Sequence, residues 1–138
     1  MKYHARMHNI DGQLDVQMKV GENTNALPML TKSNGFGSWI SGGEILFLAI
    51  ATCYCNDIFR EAKKMDIIVD SVDVEVDGDF MGAGQPAMNV ECRIKVTAQA
   101  SEEEIHKLVA HTDAIAEIPM SLRQGTPVTL TEVVAIES

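Results

Sequence analysis

Cys53 is the side chain best suited to chemistry, because it lies at the junction between an apolar run and a polar one. A cysteine attacks as a thiolate, so a reactive cysteine needs a neighbour that lowers its pKa. If the run is helical, a close charged neighbour is Asp57, and both burial and a carboxylate raise a thiol pKa. Arg60 is better placed to pair with Asp57 than with Cys53. The local sequence therefore favours an inert buried cysteine and leaves a reactive one as the alternative.

The other two cysteines are weaker candidates for a reactive or metal-binding role. Cys55 forms a Cys-x-Cys pair with Cys53, but residues two apart on a helix point to nearly opposite sides. The two thiols therefore cannot form a disulfide or hold one metal ion without unwinding the helix. Cys92 falls on the apolar face of a predicted strand, where a small core residue is the expected role.

The histidines do not complete a metal site. His4 and His8 would lie on one strand face, and His106 and His111 are five residues apart on a predicted helix. Neither pair has the spacing that zinc sites use together with cysteines. The glycine-rich segment 34–38 lacks the apolar strand and the Lys-Ser/Thr pair of a phosphate-binding loop, so we expect turns there. We predict no metal and no cofactor.

The element that must position the helical cysteine is a predicted helix over residues 42–64. Ser41 is a suitable N-cap, and Glu44 three residues later completes a capping-box pattern. Every residue from Ile45 to Ala51 is apolar, which is typical of a helix buried in a core; the run is too short for a membrane span, which takes ~20 apolar residues. From Asn56 onward the sequence is amphipathic, so we expect that end to emerge into solvent.

Glu44 has two interpretations. As the third residue of the helix, its carboxylate is the acceptor that a capping box needs. If that helix end is buried, the same carboxylate also offers a docking point for an arginine or a lysine. The local sequence leaves both roles open.

Residues 1–40 are predicted to form strands and turns. Tyr3–Ile10 gives a first extended run, and Asp11-Gly12 has the composition of a type I′ hairpin turn. The segment 14–20 alternates apolar and polar residues, as a half-buried strand does. We expect a loop over residues 21–25.

Residues 66–138 are predicted to hold further strands and a second helix. The predicted strands are Val72–Val76, Met88–Val96 and Val128–Val133. A loop over residues 77–87 joins the first two. Ser101 is a suitable N-cap for a helix that runs to about Ala116, and Pro119 marks its end.

The order of these elements, β-β(-β)-α-β-β-α-β, predicts an α+β fold with a mostly antiparallel sheet. The chain has no repeat, linker or low-complexity tract, and its 138 residues match the commonest domain size. We therefore predict a single domain over 1–138. Its parts are N-terminal strands (1–40), a central helix (41–65), and C-terminal strands with the second helix (66–138).

Composition narrows the classes of partner. The formal net charge is −9 and no basic run is present, so the chain lacks the electrostatic footprint of a protein that binds nucleic acid or an anionic membrane. The first residues, Met1 to Arg6, are polar and show no secretory signal. Three cysteines in such a chain indicate reduced thiols, and we predict a cytoplasmic protein.

Several segments together resemble one known family. They are Glu44-Ile-Leu-Phe-Leu-Ala-Ile-Ala-Thr-Cys53, Ala62-Lys-Lys-Met65, Val72-Asp-Val-Glu-Val-Asp-Gly78, Ile118-Pro-Met-Ser121 and Gly125-Thr-Pro-Val128. The chain resembles the osmotically inducible protein C (OsmC) and organic hydroperoxide resistance (Ohr) family. The resemblance implies an OsmC-like α+β fold, in which sheets wrap a long buried central helix and two chains intertwine as a homodimer.

The resemblance also implies a reaction. In the family the helix cysteine attacks a hydroperoxide and becomes a sulfenic acid, which a second cysteine resolves before a dithiol resets the pair. Cys53 matches the attacking cysteine, and Glu44 matches a carboxylate that holds an activating arginine. The position of the second cysteine is Ile118 here. The N-terminal region carries Arg6 as its one arginine, and Lys19 or Lys32 could substitute for an activating arginine only as a point charge.

Two hypotheses follow. The first is a thiol-dependent peroxidase of one-cysteine type, in which Cys53 attacks organic hydroperoxides. An external thiol resolves the sulfenic acid, or Cys55 or Cys92 does so after a rearrangement. Its partners would be a second copy of the chain, a small-molecule hydroperoxide and a thiol reductant. The second is an OsmC-like protein without peroxidase chemistry that binds an apolar small molecule or carries a thiol.

Overall fold

A computed structural model describes all residues, 1–138. It has five strands and three helices, and both sheets are antiparallel, so the predicted α+β class is confirmed. In chain order the elements are β1 (Tyr3–Ile10), β2 (Gln13–Val20), β3 (Asn23–Ala26), α1 (Gly42–Lys64), β4 (Ile68–Asp79), β5 (Met88–Gln99), α2 (Glu102–Ile115) and α3 (Glu117–Arg123).

The chain divides into two compact units, Met1–Leu46 and Phe47–Ser138, and the division falls inside α1. The first unit holds a sheet in the order β1-β2-β3. Asp11 and Gly12 have φ of 52° and 72°, the two positive values that a type I′ turn requires, so the predicted hairpin is confirmed. The loop expected over residues 21–25 is wrong in part, because β3 begins at Asn23 and pairs with the end of β2.

The second unit is built on the β4–β5 hairpin. Its register pairs Val72 with Val96 and Val74 with Ile94, which puts apolar side chains on one half-buried face. β4 continues to Asp79, three residues into the predicted loop. Next to that end, Gly78 leaves room for the Phe47 ring: a Cβ there would lie 2.7 Å from the ring carbon Cζ.

Two buried clusters hold α1 in this unit. Ile50, Tyr54 and Ala116 form one, against which Cys53 and strand residues pack. The other consists of Ile58, Ala62 and Leu108, and it joins α1 to α2. Burial of these side chains stabilises the unit by roughly 1.5–3 kcal/mol for each large aliphatic residue.

The second half of α1 is amphipathic, as predicted, with Arg60, Lys63 and Lys64 exposed. The burial of Asp57 and Glu61, which were expected on the solvent face, is the part that differs. Asp57, Ile58, Glu61 and Ala62 are all buried. The reason is that Ile58 and Ala62 pack against α2, while Asp57 and Glu61 lie beneath the surface as members of ion pairs. By contrast, Leu48 in the all-apolar half is 64% exposed within this one chain.

By length and composition alone, α1 would be long and apolar enough to cross a membrane, although the apolar run within it is short. Only 22% of the most apolar 18-residue stretch of α1 is buried within this chain. Core helices of soluble proteins can have the same length and composition, so these two properties are weak support for a membrane role.

The sequence predicted that Pro119 marks the end of the second helix, and this is wrong. α2 ends at Ile115, and Pro119 lies in the first turn of α3. Proline fits there because the first N–H groups of a helix have no partner within it. At the other end of α2, Ser101 and Glu104 form a capping box, which confirms the predicted N-cap.

The predicted final strand is absent. Residues 126–138 have no regular structure, and their apolar side chains Val128, Leu130, Val133, Val134 and Ile136 are 73% to 97% exposed. The alternation that suggested a strand over 128–133 is present in the sequence, but no strand of the chain pairs with it. We call this segment the C-terminal tail.

Candidate active site

Cys53 lies where the fourth turn of α1 meets the start of α3. It is half-buried and packs against the buried cluster of Ile50, Tyr54 and Ala116. Ala116 precedes α3 directly, so the short connection between α2 and α3 brings the backbone of that turn to the thiol. The cysteine is thus accessible on one side and held in an apolar setting on the other.

Two carboxylates flank the thiol. The Cys53 Sγ atom is 3.5 Å from Oδ2 of Asp57 and 3.7 Å from Oε2 of Glu117. Asp57 is one helical turn further along α1, and Glu117 begins α3. A neutral thiol can donate its hydrogen to either oxygen, whereas a thiolate would meet two negative charges.

The pKa of the Cys53 thiol is accordingly raised. Burial is the largest cause, and the carboxylates of Asp57 and Glu117 add to it. The backbone N–H of Ile118 acts in the opposite direction, because it donates a hydrogen bond that favours the thiolate. The expectation that burial and Asp57 oppose ionisation of this cysteine is confirmed.

The two carboxyl groups differ from each other in proton affinity. Asp57 is 5% exposed, and its pKa is raised by burial and by the neighbouring Glu117 carboxylate. The pKa of Glu117 is lowered, mainly by a hydrogen bond from its own backbone N–H. When the pair holds one proton, that proton therefore resides on Asp57.

Arg60 supplies the positive charge of the cluster. Its Nη1 atom is 3.1 Å from Oδ1 of Asp57 and 4.0 Å from Oε1 of Glu117, and its Nε is 2.9 Å from Glu61. The sequence expectation that Arg60 pairs with Asp57 is confirmed. The guanidinium contacts the carboxylates rather than the sulfur, so it does not replace an arginine that stabilises a thiolate directly.

Glu61 extends this network to α2. Its buried carboxylate accepts hydrogen bonds from Arg60 and from Lys64, each at 2.9 Å, and contacts Nε2 of His111 at 2.8 Å. These partners lower the pKa of Glu61 to about 2. Glu61 is therefore ionised at neutral pH and holds Arg60 through its Nε atom.

One oxygen or sulfur atom from each of Cys53, Asp57 and Glu117 lies within 4.8 Å of the other two, a spacing that a metal ion could bridge. Arg60 already contacts both carboxylates. Because the positive charge in the cluster is this guanidinium, we describe the cluster as a proton-sharing group and assign no metal to it.

Glu44 forms the capping box of α1. Its Oε2 accepts hydrogen bonds from the backbone N–H of Ser41 at 2.7 Å and from the Ser41 hydroxyl at 2.8 Å. These bonds lower the pKa of Glu44. The capping role is thus confirmed, and its hydrogen bonds go to Ser41 rather than to an arginine.

Cys92 is exposed, so its predicted place in the core is wrong. The segment of β5 that carries it lies beyond the part that α1 and α2 cover, since only Ile94 and Val96 join the buried clusters. Its thiol lines an open cleft of about 490 Å³ between β5 and the helices, together with Tyr54 and Arg123. Cys55 is half-buried.

Sequence reasoning missed Glu117. The residue is 64 positions from Cys53, so no helical or strand spacing relates the two. A signal was nonetheless present, because Glu117 precedes Ile118, the position that the family resemblance brings close to the attacking cysteine. The structure bears out that proximity through the N–H of Ile118.

The sequence profile of the family described as OsmC-like protein matches residues 35–131. The chain belongs to the OsmC-like family. This match includes α1, both strands of the second sheet, α2 and α3. Among curated proteins, none matches the chain.

Solved structures of OsmC-like proteins have the same fold. An OsmC-like protein from Mycoplasma pneumoniae has a TM-score of 0.65 at 15% identity, over 91% of this chain and 89% of that one. An OsmC-like hydroperoxide resistance protein from Jannaschia has a TM-score of 0.54 at 17% identity, over 97% and 92%. An organic hydroperoxide resistance protein from Legionella pneumophila has a TM-score of 0.52 at 15% identity, over 89% and 90%.

Proposed function

We propose that this OsmC-like protein reduces organic hydroperoxides with Cys53 as the attacking thiol. The observation that carries the proposal is the setting of Cys53, a half-buried thiol within hydrogen-bonding distance of groups that can take up and release a proton. Family membership and fold neighbours that are named hydroperoxide resistance proteins support it.

The resolving thiol is external in this proposal. Ile118 occupies the position beside the sulfur at which the family resemblance places a second cysteine, and its side chain cannot form a disulfide. Cys55 points away from Cys53 on the same helix. A small dithiol or a protein thiol would therefore reduce the sulfenic acid of Cys53.

The surroundings of the thiol favour an organic substrate over hydrogen peroxide. Phe47, Ile50 and Val76 belong to the cluster against which Cys53 packs. An alkyl or aryl group gains roughly 25 cal/mol for each Å² of apolar surface that it buries there, which hydrogen peroxide cannot gain.

We further propose that the active form is a homodimer. The apolar half of α1 is only partly covered within one chain, and the C-terminal tail exposes a row of apolar side chains. A second copy that covered both would remove this surface from water. The cytoplasmic location and the thiol reductant are parts of the same proposal.

The second candidate is an OsmC-like protein that binds an apolar small molecule without peroxidase chemistry. The observation in its favour is the raised pKa of Cys53, since few thiolates form at neutral pH in such a setting. In this alternative the thiol is structural, and the carboxylates of Asp57 and Glu117 only hold α1 and α3 together through Arg60.

The deciding experiment compares Cys53→Ser with the matched control Cys55→Ser. The turnover of cumene hydroperoxide would be measured in the presence of a dithiol reductant. Its binding would be measured by calorimetry without the reductant. We expect Cys53→Ser to abolish turnover and Cys55→Ser to retain it. Turnover that survives in Cys53→Ser contradicts the peroxidase proposal, and binding without turnover in the unmodified protein supports the second candidate.

A further inference from the structure

The carboxyl pair beside Cys53 has a geometry that a merely structural pair does not need. Asp57 presents Oδ1 to Arg60 and Oδ2 to the Cys53 sulfur, so one carboxylate contacts both the cation and the reacting atom. Glu117 repeats this arrangement from α3, with Oε1 toward Arg60 and Oε2 toward the sulfur. The thiol proton therefore has two acceptors within hydrogen-bonding range.

Resting on the proposed function, we propose that Asp57 is the acid–base catalyst of peroxide reduction: it takes the Cys53 proton and delivers it to the oxygen that leaves. A thiol with a raised pKa cannot act as a permanently ionised nucleophile, so its proton must move when the substrate is present. Asp57 is the group in contact with the sulfur that can hold this proton away from water.

Asp57 rather than Glu117 is the carrier because of burial and charge. The groups that face the Asp57 carboxyl are Cys53 and Arg60 from α1 and Glu117 from α3. Burial and the Glu117 charge raise the pKa of Asp57, whereas Glu117 is largely exposed and its own pKa is lowered. Glu117 is thus the ionised partner that increases the proton affinity of Asp57.

The step balances without a further reactant. The Cys53 S–H proton passes to Oδ2 of Asp57, and the sulfur attacks the terminal oxygen of the hydroperoxide. An S–O bond forms while the O–O bond breaks, and its electron pair leaves on the alkoxide. Asp57 returns the proton to that alkoxide. The sulfur is oxidised to a sulfenic acid, and the hydroperoxide is reduced to an alcohol.

Arg60 acts as a positioning residue in this scheme. It fixes the Oδ1 side of Asp57 and is itself held by Glu61, which orients Oδ2 toward the sulfur. Its charge also limits the pKa increase of Asp57, so the carboxyl can release the proton again. A carboxyl with an intermediate proton affinity suits a group that must both accept and donate.

The test uses leaving groups that differ in their need for a proton. An alkyl hydroperoxide expels a strongly basic alkoxide, whereas a peracid expels a carboxylate that is stable without protonation. Iodoacetamide expels iodide and reports the nucleophilicity of Cys53 alone. Each reagent would be reacted in a single turnover with the full chain carrying Cys55→Ser and Cys92→Ser, with or without Asp57→Asn.

We expect Asp57→Asn to slow the reaction with the alkyl hydroperoxide by about 10² or more, the typical contribution of a general acid. In this variant the thiol proton passes to Glu117 or to water, and the thiolate forms more readily because one negative charge beside the sulfur is gone. The rate with the peracid should therefore be retained, and the reaction with iodoacetamide should be faster. Asp70→Asn is the matched control, since Asp70 is an exposed carboxylate on β4. It should leave all three rates unchanged.

Equal slowing with both peroxides overturns the acid role, and so does faster reaction with all three reagents, which would make Asp57 only a suppressor of the thiolate. If Cys53 is oxidised by neither peroxide in the unmodified protein, the proposed function itself fails. If Asp57→Asn does not fold, Glu117→Gln provides a second test, because it changes an exposed side chain. The rate with the alkyl hydroperoxide should decline at high pH as Asp57 loses its proton, a decline that the iodoacetamide profile lacks, and Glu117→Gln should move it to lower pH. A profile without this decline, or with the decline unshifted, contradicts the proposal.

Discussion

At the level of single residues, Cys53 differs from a cysteine activated by a cation. Carboxylates lie within 3.7 Å of its sulfur, and the nearby arginine contacts those carboxylates instead. The pairing of Arg60 with Asp57 could be predicted from sequence, because a helix brings residues three positions apart together. The contact with Glu117 could not, since it depends on how α3 folds back onto α1.

The titration of Cys53 follows from these neighbours. Because burial and two carboxylates disfavour the thiolate, we expect the rate of Cys53 alkylation to rise with pH through an inflection above that of a free cysteine. The measurement is iodoacetamide labelling against pH in a protein with Cys55→Ser and Cys92→Ser. Glu117→Gln should move the inflection lower. An inflection below that of free cysteine would mean that a cation outside this chain reaches the sulfur.

Glu61 makes the stability of the protein dependent on acid. Its pKa lies at about 2 in the folded chain against a usual 4.5, so its contribution is complete above 4.5 and is lost as the pH falls toward 2. We expect Glu61→Gln to lower the free energy of unfolding at pH 7, and this difference should shrink between pH 4.5 and 2.

Urea unfolding followed by circular dichroism at several pH values measures this difference. Glu103→Gln is the control, because Glu103 is an exposed carboxylate whose pair with Lys107 spans 3.4 Å. Such surface pairs contribute little, so the control should stay close to the unmodified protein at every pH. A Glu61→Gln difference that persists unchanged at the lowest pH would mean that side-chain packing, and not the ionised carboxylate, accounts for it.

At the level of helices and strands, local patterns were sufficient where partners are close in sequence. The hairpin at Asp11-Gly12 and the capping boxes at Ser41 and Ser101 depend on residues a few positions apart. Predictions failed where distant segments decide. The burial of Glu61 depends on α2, whose His111 contacts its carboxylate, and no spacing within α1 encodes that contact.

The two capping boxes separate the roles of Glu44. Glu44 accepts from Ser41 as Glu104 accepts from Ser101, so Glu44→Gln and Glu104→Gln should alter helix capping alike. If Glu44 also docks an arginine near the active site, as the family resemblance implies, only Glu44→Gln should slow the oxidation of Cys53. We expect Glu44→Gln, and not Glu104→Gln, to slow this oxidation, measured as a single turnover with cumene hydroperoxide. Equal rates in both variants would restrict Glu44 to capping.

At the level of the whole molecule, the exposed apolar surface is the property that single-chain folding does not explain. The sequence pattern predicts a strand over 128–133, and the chain contains no strand that pairs with it. The net charge of −9 opposes association through self-repulsion, whereas the exposed aliphatic side chains favour it. The homodimer is therefore a hypothesis that the resemblance, the sequence pattern and the exposure of the tail support together.

The C-terminal tail provides the test of that hypothesis. Leu130 is 83% exposed within one chain, and in a dimer that covers the tail this side chain would be buried. Leu130→Asp should then shift the protein from dimer to monomer, because burying an unpaired carboxylate costs several kcal/mol. Thr129→Asp is the matched control: if the tail forms the predicted strand in the dimer, adjacent residues face opposite sides, and the charge introduced at position 129 would stay in water. Sedimentation equilibrium measures both, and an unmodified protein that is monomeric at micromolar concentration contradicts the dimer.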